Sequence, residues 1–149
     1  MKTIKCIIAA GGLGTRLQGF RGNQSTKILL EVNSKPMIIQ QLEQLISWGL
    51  SEFVIITNPS FDNLIRKKTS QIREKYNINY SIQSEQLGIS HALKQAKSYV
   101  NDGDQVVFIL GDNFFGANPM QNLDFEELLN SNKNSIIFTK EVINPEEFG

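Results

Sequence analysis

The sequence lacks the features that mark secreted and membrane proteins. It has a single cysteine, Cys6, so no intramolecular disulfide can form, and this favours a reducing compartment. No apolar run is long enough to span a bilayer. The first apolar run begins so early that it leaves no room for a signal peptide. From these absences we expect a cytoplasmic protein.

The sequence also lacks an excess of either charge. Its 15 basic and 15 acidic residues cancel, so bulk electrostatics give no reason to expect nucleic acid or a membrane as a partner. It has one histidine, His91, whose position early in a predicted helix favours a structural role. A chain of 149 residues suffices for one domain with a sizeable core.

Strand and helix patterns alternate along the chain. Short apolar runs predict strands at 4–10, 53–57, 80–83, 106–110 and 135–140, and apolar periodicity predicts helices at 36–48, 61–76, 90–100 and 124–129. Strands separated by helices predict an α/β fold with a Rossmann-like, doubly wound, mostly parallel sheet. Such sheets bind ligands outside the carboxyl ends of their strands, and we interpret Gln83 as the end of a middle strand there.

A glycine-rich turn follows the first predicted strand. Gly11, Gly12 and Gly14 let the backbone bend tightly and bring several N–H groups to one ligand. Arg16 adds a guanidinium that matches phosphate geometry. The turn therefore predicts a nucleotide site at the carboxyl end of the first strand.

Neither common nucleotide fingerprint is complete in this turn. A dinucleotide-binding pattern needs a third glycine where Leu17 stands, and a Walker A pattern needs Gly-Lys followed by Ser or Thr. A flexible turn with Arg16 in solvent is the alternative. From spacing alone, a solvated loop lysine is the favoured interpretation of Lys27. Asp112 could equally be a turn or helix-cap residue.

Four segments in the same order resemble the sugar-1-phosphate nucleotidyltransferases. The turn AGGLGTRL at 10–17 and the segment KILLEVNSKPMI at 27–38 resemble the family signature, with a short strand after Lys27. The segment at 83–92 resembles the base-reading segment of N-acetylglucosamine-1-phosphate uridyltransferases. The segment LGDNFF at 110–115 resembles the metal-binding turn of glucose-1-phosphate thymidylyltransferases. The resemblance covers most of the chain and implies a sheet of the nucleotide-diphospho-sugar transferase type.

This resemblance implies transfer of a nucleotidyl group from a nucleoside triphosphate, dTTP or UTP, to a sugar 1-phosphate. Arg16 and Lys27 would stabilise the charge of the triphosphate and the transition state, and Asp112 would hold Mg²⁺. The implied nucleotide-binding residues are Ala10, Gly11, Gly12, Gly14, Thr15, Gln83 and Gly88, and the implied sugar-binding residues are Asn113 and Gly149.

The departures from the family pattern leave several points open. Ile89 stands where a uridyltransferase would have threonine, so uracil and thymine both stay open. Family members continue for many residues beyond a segment like 144–149. Residues 1–149 are thus expected to be the N-terminal, nucleotide-binding portion of a nucleotidyltransferase domain truncated at its C-terminal end. A non-catalytic nucleotide-binding or regulatory module, an NAD-dependent oxidoreductase and a homo-oligomer also stay open.

Overall fold

A computed structural model describes residues 3–12, 26–123, 135–139 and 141–143. Their strands are β1 (Ile4–Ala9), β2 (Glu31–Val32), β3 (Lys35–Pro36), β4 (Glu52–Thr57), β5 (Asn77–Ile82) and β6 (Gln105–Leu110). Their α-helices are α1 (Met37–Ser47), α2 (Asp62–Arg73) and α3 (Ile89–Gln95), and short 3₁₀ helices cover Lys27–Leu29 and Lys97–Tyr99.

Four of these strands form one parallel sheet in the order β5-β4-β1-β6. Strand β1 lies inside the sheet, and its Cys6, Ile7 and Ile8 are almost completely buried, which explains its continuous apolar run. The chain proceeds from β1 through β4 to β5 on one side and returns with β6 on the other. The predicted α/β, mostly parallel, doubly wound fold is therefore confirmed, with its topological switch point between β1 and β6.

Helix α1 supplies one layer of the core. Its Ile38, Leu42 and Leu45 are fully buried, as the predicted apolar face required. Burying each such side chain stabilises the fold by about 1.5–3 kcal/mol. The helix ends just before Gly49, whose φ of 88° suits glycine.

Three local predictions were wrong. The strand predicted at 135–140 is not formed over its described residues, 135–139, which are exposed and have no regular secondary structure. The strand predicted after Lys27 begins only at Glu31, where β2 pairs with β3 through a tight turn with positive φ at Asn33 and Ser34. Strand β5, which precedes Gln83, is an edge strand of the described sheet rather than a middle one. The helix predicted at 124–129 lies outside the described residues.

The chain divides into two compact units, Met1–Phe114 and Phe115–Gly149. The parallel sheet and all three α-helices belong to the first unit. Within the described residues, no helix is both long and apolar enough to cross a membrane.

Candidate active site

An open cleft of about 350 Å³ lies at the carboxyl ends of the parallel strands, inside the first unit. It is lined by six of the predicted site residues: Gly11, Gly12, Lys27, Gln83, Gly88 and Asp112. These residues follow β1, β5 and β6, whose carboxyl ends meet at one edge of the sheet. The fold thus brings most of the described candidates to one place.

Two predicted residues within the described ranges lie beside the cleft. Ala10 is buried, and its N–H donates to the carbonyl of Ile56 at 2.8 Å, so that group is already used within the fold. Asn113 is exposed on the turn that carries Asp112. The remaining predicted residues, Gly14, Thr15, Arg16 and Gly149, lie outside the described residues.

The carbonyl of Gly11 is held by two side-chain amides. Asn58 Nδ2 donates to it at 2.8 Å and Gln86 Nε2 at 3.1 Å. Asn58 is buried, and its Oδ1 accepts two backbone N–H groups of the loop that follows it, at 2.9 and 3.2 Å. In a trans peptide the C=O and the next N–H point in opposite directions, so the N–H of Gly12 is turned away from these donors. An oriented N–H of this kind suits a phosphate oxygen.

Gly111 allows the end of β6 to approach the end of β1. Its N–H donates to the carbonyl of Ala9 at 2.8 Å. A Cβ at this position would stand 2.9 Å from the same oxygen, closer than real Cβ atoms come, and 3.1 Å from Ile28 Cγ2. Glycine at 111 therefore fixes how near the Asp112 turn lies to the glycine turn.

Lys27 and Asp112 form an ion pair at the cleft. Lys27 Nζ lies 2.7 Å from Asp112 Oδ2, and their side chains are 41% and 38% exposed. The neighbouring Thr26 is fully buried, and its hydroxyl donates to the carbonyl of Gly12 at 3.0 Å, which ties the Lys27 segment to the glycine turn. An exposed pair of this kind contributes only about 0–1 kcal/mol. Either partner can therefore exchange the other for a charged ligand.

Gln41 of α1 holds the turn that carries Asp112. Its Nε2 donates to the carbonyls of Leu110 and Asn113, both at 2.9 Å, and the residue is 1% exposed. Its Oε1 is buried without a hydrogen-bond partner in the described part of the chain. The two hydrogen bonds that Gln41 donates lie on either side of Gly111 and Asp112, and they fix the position of the Asp112 carboxylate.

The residues present can supply part of a magnesium site. Among the described residues, no group of three His, Cys, Asp or Glu side chains could hold a metal ion alone. Mg²⁺ is, however, commonly held by one or two carboxylates together with substrate phosphates. The half-exposed carboxylate of Asp112 fits that arrangement, with the phosphates providing further oxygens.

Gln83 and Gly88 lie together on the opposite side of the cleft. The Gln83 side chain is buried, and its Nε2 donates to the carbonyl of Gly88 at 3.3 Å and lies 3.1 Å from His91 Nδ1. Gly88 has φ 92° and ψ −178°, a backbone conformation open essentially to glycine alone, and α3 begins at the next residue. A side chain is thus excluded where the chain turns into the helix.

Two shifted pKa values belong to groups outside the cleft lining. Burial raises the pKa of the Cys6 thiol to about 12, so this cysteine is an inert core residue. Burial also raises the pKa of Asp62, but hydrogen bonds from Arg66 and Thr57 and the charge of Arg66 outweigh it and lower the pKa overall.

Four supporting residues were missed from the sequence: Thr26, Gln41, Asn58 and Gln86. Two of them left a readable signal. Gln41 interrupts the apolar face of α1, and a polar residue on a buried face needs partners. Asn58 directly follows β4, at the strand end where ligands bind in parallel sheets.

Comparison with known proteins places the chain in a family. The family model described as Nucleotidyl transferase matches residues 5–149. The chain is 34% identical over 149 residues to a glucose-1-phosphate thymidylyltransferase of Neisseria meningitidis, covering 98% of this chain and 50% of that protein. It is 31% identical over 148 residues to a mannose-1-phosphate guanyltransferase of Hypocrea jecorina, covering 98% of this chain and 40% of that protein.

A solved structure agrees with these relatives. A crystal structure from Bacillus anthracis, assigned as a glucose-1-phosphate thymidylyltransferase, superposes with a TM-score of 0.73 at 30% identity. The match covers 86% of this chain and 51% of that one. The chain thus spans about half the length, or less, of the relatives it matches. By sequence and by fold, the chain belongs to the nucleotidyl transferase family.

Proposed function

We propose that the protein transfers a nucleotidyl group from a nucleoside triphosphate to a sugar 1-phosphate, giving a nucleotide sugar and diphosphate. The observation that carries the proposal is the convergence of the Gly11–Gly12 peptide, Lys27 and Asp112 on one cleft at the switch point of the sheet. The printed names of the relatives, which transfer thymidylyl and guanyl groups to sugar 1-phosphates, support the reaction class.

The reaction requires a sugar phosphate oxygen to attack the α-phosphorus while diphosphate leaves. Negative charge is spread over the phosphoryl oxygens, so catalysis is mostly positioning and electrostatic stabilisation. The Gly12 N–H and the Lys27 ammonium would bind those oxygens, and Arg16 would add a second cation. Lys27 would exchange Asp112 for phosphate as the triphosphate enters.

Asp112, released from Lys27, would hold Mg²⁺. A bound Mg²⁺ neutralises phosphate charge and orients the triphosphate. Gln41 and Gly111 contribute by fixing the turn, so that the carboxylate lies at the cleft before the ligand arrives. Asn113 and Gly149 are proposed to contact the sugar.

The base is proposed to be uracil or thymine. Gln83 offers a buried amide at the cleft, and Gly88, without a side chain, leaves room for a planar ring against the backbone. The nitrogen of the Gln83 amide is paired within the fold, and an amide oxygen can accept a hydrogen bond from the polar edge of a base.

Calorimetric titration tests the nucleotide, and a diphosphate-release assay tests the reaction. We expect UTP or dTTP with Mg²⁺ to bind more tightly than NADH, and diphosphate to appear when a hexose 1-phosphate is added. Tighter binding of NADH would contradict the proposal in favour of a dinucleotide site. Tight triphosphate binding without diphosphate release in the full-length protein would favour a non-catalytic nucleotide-binding module.

A further inference from the structure

His91 lies between two glutamine amides behind the cleft. Its Nδ1 is 3.1 Å from Gln83 Nε2, and its Nε2 is 3.1 Å from Gln95 Nε2. Gln95 is on the same helix, one turn later, and Gln83 lines the cleft. Nothing in the proposed reaction uses His91, yet it is in direct contact with the residue proposed to meet the base.

Both amide nitrogens are donors, but a neutral imidazole has one donor and one acceptor. Only one glutamine can therefore donate to the ring, and burial decides which. Gln83 is 4% exposed, and its Nε2 also donates to the carbonyl of Gly88 at 3.3 Å. Turning that amide over would set its oxygen against the Gly88 carbonyl, and two buried acceptors would face each other.

Gln95 has the freedom that Gln83 lacks. Its Nε2 also donates to the carbonyl of His91 at 3.3 Å, but the residue is only partly buried, so water can replace that bond when the amide turns over. The one arrangement that satisfies both contacts has His91 Nδ1 accepting from Gln83 and the ring proton on Nε2 donating to the Gln95 oxygen. In this arrangement the Gln83 amide is held by both Gly88 and His91.

The held amide directs its oxygen to the glycine turn. Gln83 Oε1 lies 3.3 Å from where a Cβ on Gly11 would stand, beside the cleft. An oxygen can only accept, so it pairs with a base that offers a ring N–H, such as N3–H of uracil and thymine or N1–H of guanine. The ring nitrogens of cytosine and adenine at these positions are acceptors and would face a second acceptor.

We infer that His91 is a positioning residue that holds the Gln83 amide with its oxygen toward the cleft, and thereby selects nucleoside triphosphates whose base carries a ring N–H donor. The inference rests on the proposed function, because it requires Gln83 to contact the base. Mismatching one buried hydrogen bond is expected to weaken binding about tenfold or more.

Two nearly isosteric variants separate hydrogen bonding from shape. In His91→Asn the amide oxygen can lie near the position of His91 Nδ1 and accept a hydrogen bond from Gln83. Leucine has a shape similar to that of asparagine but no acceptor, so His91→Leu cannot form this bond. UTP and CTP are the matched probes, because their bases differ at the ring nitrogen and its neighbouring substituent. Calorimetry with Mg²⁺ gives the ratio of the two dissociation constants for each protein, and thermal melting reports folding.

We expect the wild type and His91→Asn to bind UTP about tenfold or more tightly than CTP. His91→Leu should bind the two within about threefold of each other, chiefly through weaker UTP binding. Partial unfolding lowers the apparent affinity for both nucleotides alike. The ratio of the two dissociation constants therefore reports the orientation of the Gln83 amide. If His91→Leu does not fold, His91→Ala takes its place.

Four outcomes overturn the inference. If His91→Leu keeps the wild-type ratio of the UTP and CTP dissociation constants, His91 does not set the orientation of the Gln83 amide. If His91→Asn and His91→Leu lose the ratio equally, the ring acts through its shape alone. A wild type that binds both nucleotides equally contradicts the inference and leaves the proposed function standing, whereas a wild type that binds no nucleoside triphosphate contradicts both.

Discussion

Lys27 Nζ and Asp112 Oδ2 lie 2.7 Å apart, so the cation proposed for the triphosphate and the carboxylate proposed for the metal neutralise each other. The two residues are 85 positions apart and meet because β1 and β6 are neighbours in the sheet. The pair keeps both side chains at the cleft. A magnesium–triphosphate complex offers each partner a new opposite charge.

Replacing Lys27 is expected to impair the reaction while leaving the fold intact. Lys27→Ala should change the free energy of unfolding by less than about 1 kcal/mol, because the pair is exposed. It should lower kcat for diphosphate release in the full-length protein by about 10²-fold or more, as loss of one fixed charge-stabilising group does. Arg16→Ala, outside the described residues, is expected to have the same effect on kcat.

Lys35→Ala is the matched control for Lys27→Ala. Lys35 also forms an exposed ion pair, at 2.7 Å from Glu43, but it does not line the cleft. The kcat of the Lys35→Ala variant should equal that of the wild type. Equal rates for the Lys27 and Lys35 variants would show Lys27 to be an ordinary surface charge.

Asn58→Asp is expected to disturb the glycine turn. The carboxylate keeps the acceptor for the following loop but sets an oxygen 2.8 Å from the Gly11 carbonyl, where the amide donated before. Urea denaturation should show a loss of about 1–3 kcal/mol, since the buried Gly11 carbonyl loses one of its two donors and faces a carboxylate oxygen instead. Triphosphate affinity should also fall. Asn63→Asp adds the same charge on an exposed site and should change neither quantity appreciably.

Gly111→Ala tests the close approach of β6 to β1. The new Cβ would stand 2.9 Å from the carbonyl oxygen of Ala9, so backbone must move, at a cost of about 1–3 kcal/mol by chemical denaturation. Gly12→Ala is the control, because its Cβ would meet no atom within 4 Å. Equal stabilities for the two variants would contradict the packing argument.

Gln41→Leu is expected to loosen the Asp112 turn. It removes one donor from the carbonyl of Leu110, which keeps the N–H of Asn113, and the side-chain donor from the carbonyl of Asn113. Removal of the unpaired Oε1 partly offsets this loss. We expect a loss of about 1–3 kcal/mol in urea and weaker binding of the magnesium–triphosphate complex. Gln40→Leu also removes bonds to two carbonyls, but these are exposed to water, so its effect should be clearly smaller. An unchanged affinity of Gln41→Leu for the magnesium–triphosphate complex would show that Gln41 does not influence the site.

Asp62 is expected to make the fold sensitive to acid. Burial raises its pKa, but Arg66 and Thr57 together lower it below its ordinary value. Because the folded pKa is the lower one, the stabilisation is complete above the unfolded pKa of about 4 and is lost as the pH falls through the folded value. Urea midpoints of wild type and Asp62→Asn should converge as the pH is lowered in that range. A constant difference between them would contradict this assignment.

The sequence by itself determined the fold class and the chemical character of the cleft. Buried parallel strands appear as continuous apolar runs, and the apolar face of α1 has helical spacing, so both are legible locally. Glycines 11 and 12, Gln83 and Asp112 follow such strands, and a parallel sheet brings those ends together. The meeting of these residues at one edge of the sheet could therefore be expected without coordinates.

Only the tertiary structure decided which groups meet within that site. The Lys27–Asp112 pair, the amides that hold the Gly11 carbonyl and the contact of Gln41 with the Asp112 turn join residues far apart in the chain. No local pattern encodes these distances. The apolar run at 135–139 shows the converse, because it forms no strand despite its strand propensity. Propensity and periodicity are local properties, whereas hydrogen-bond partners are set by strand order and register.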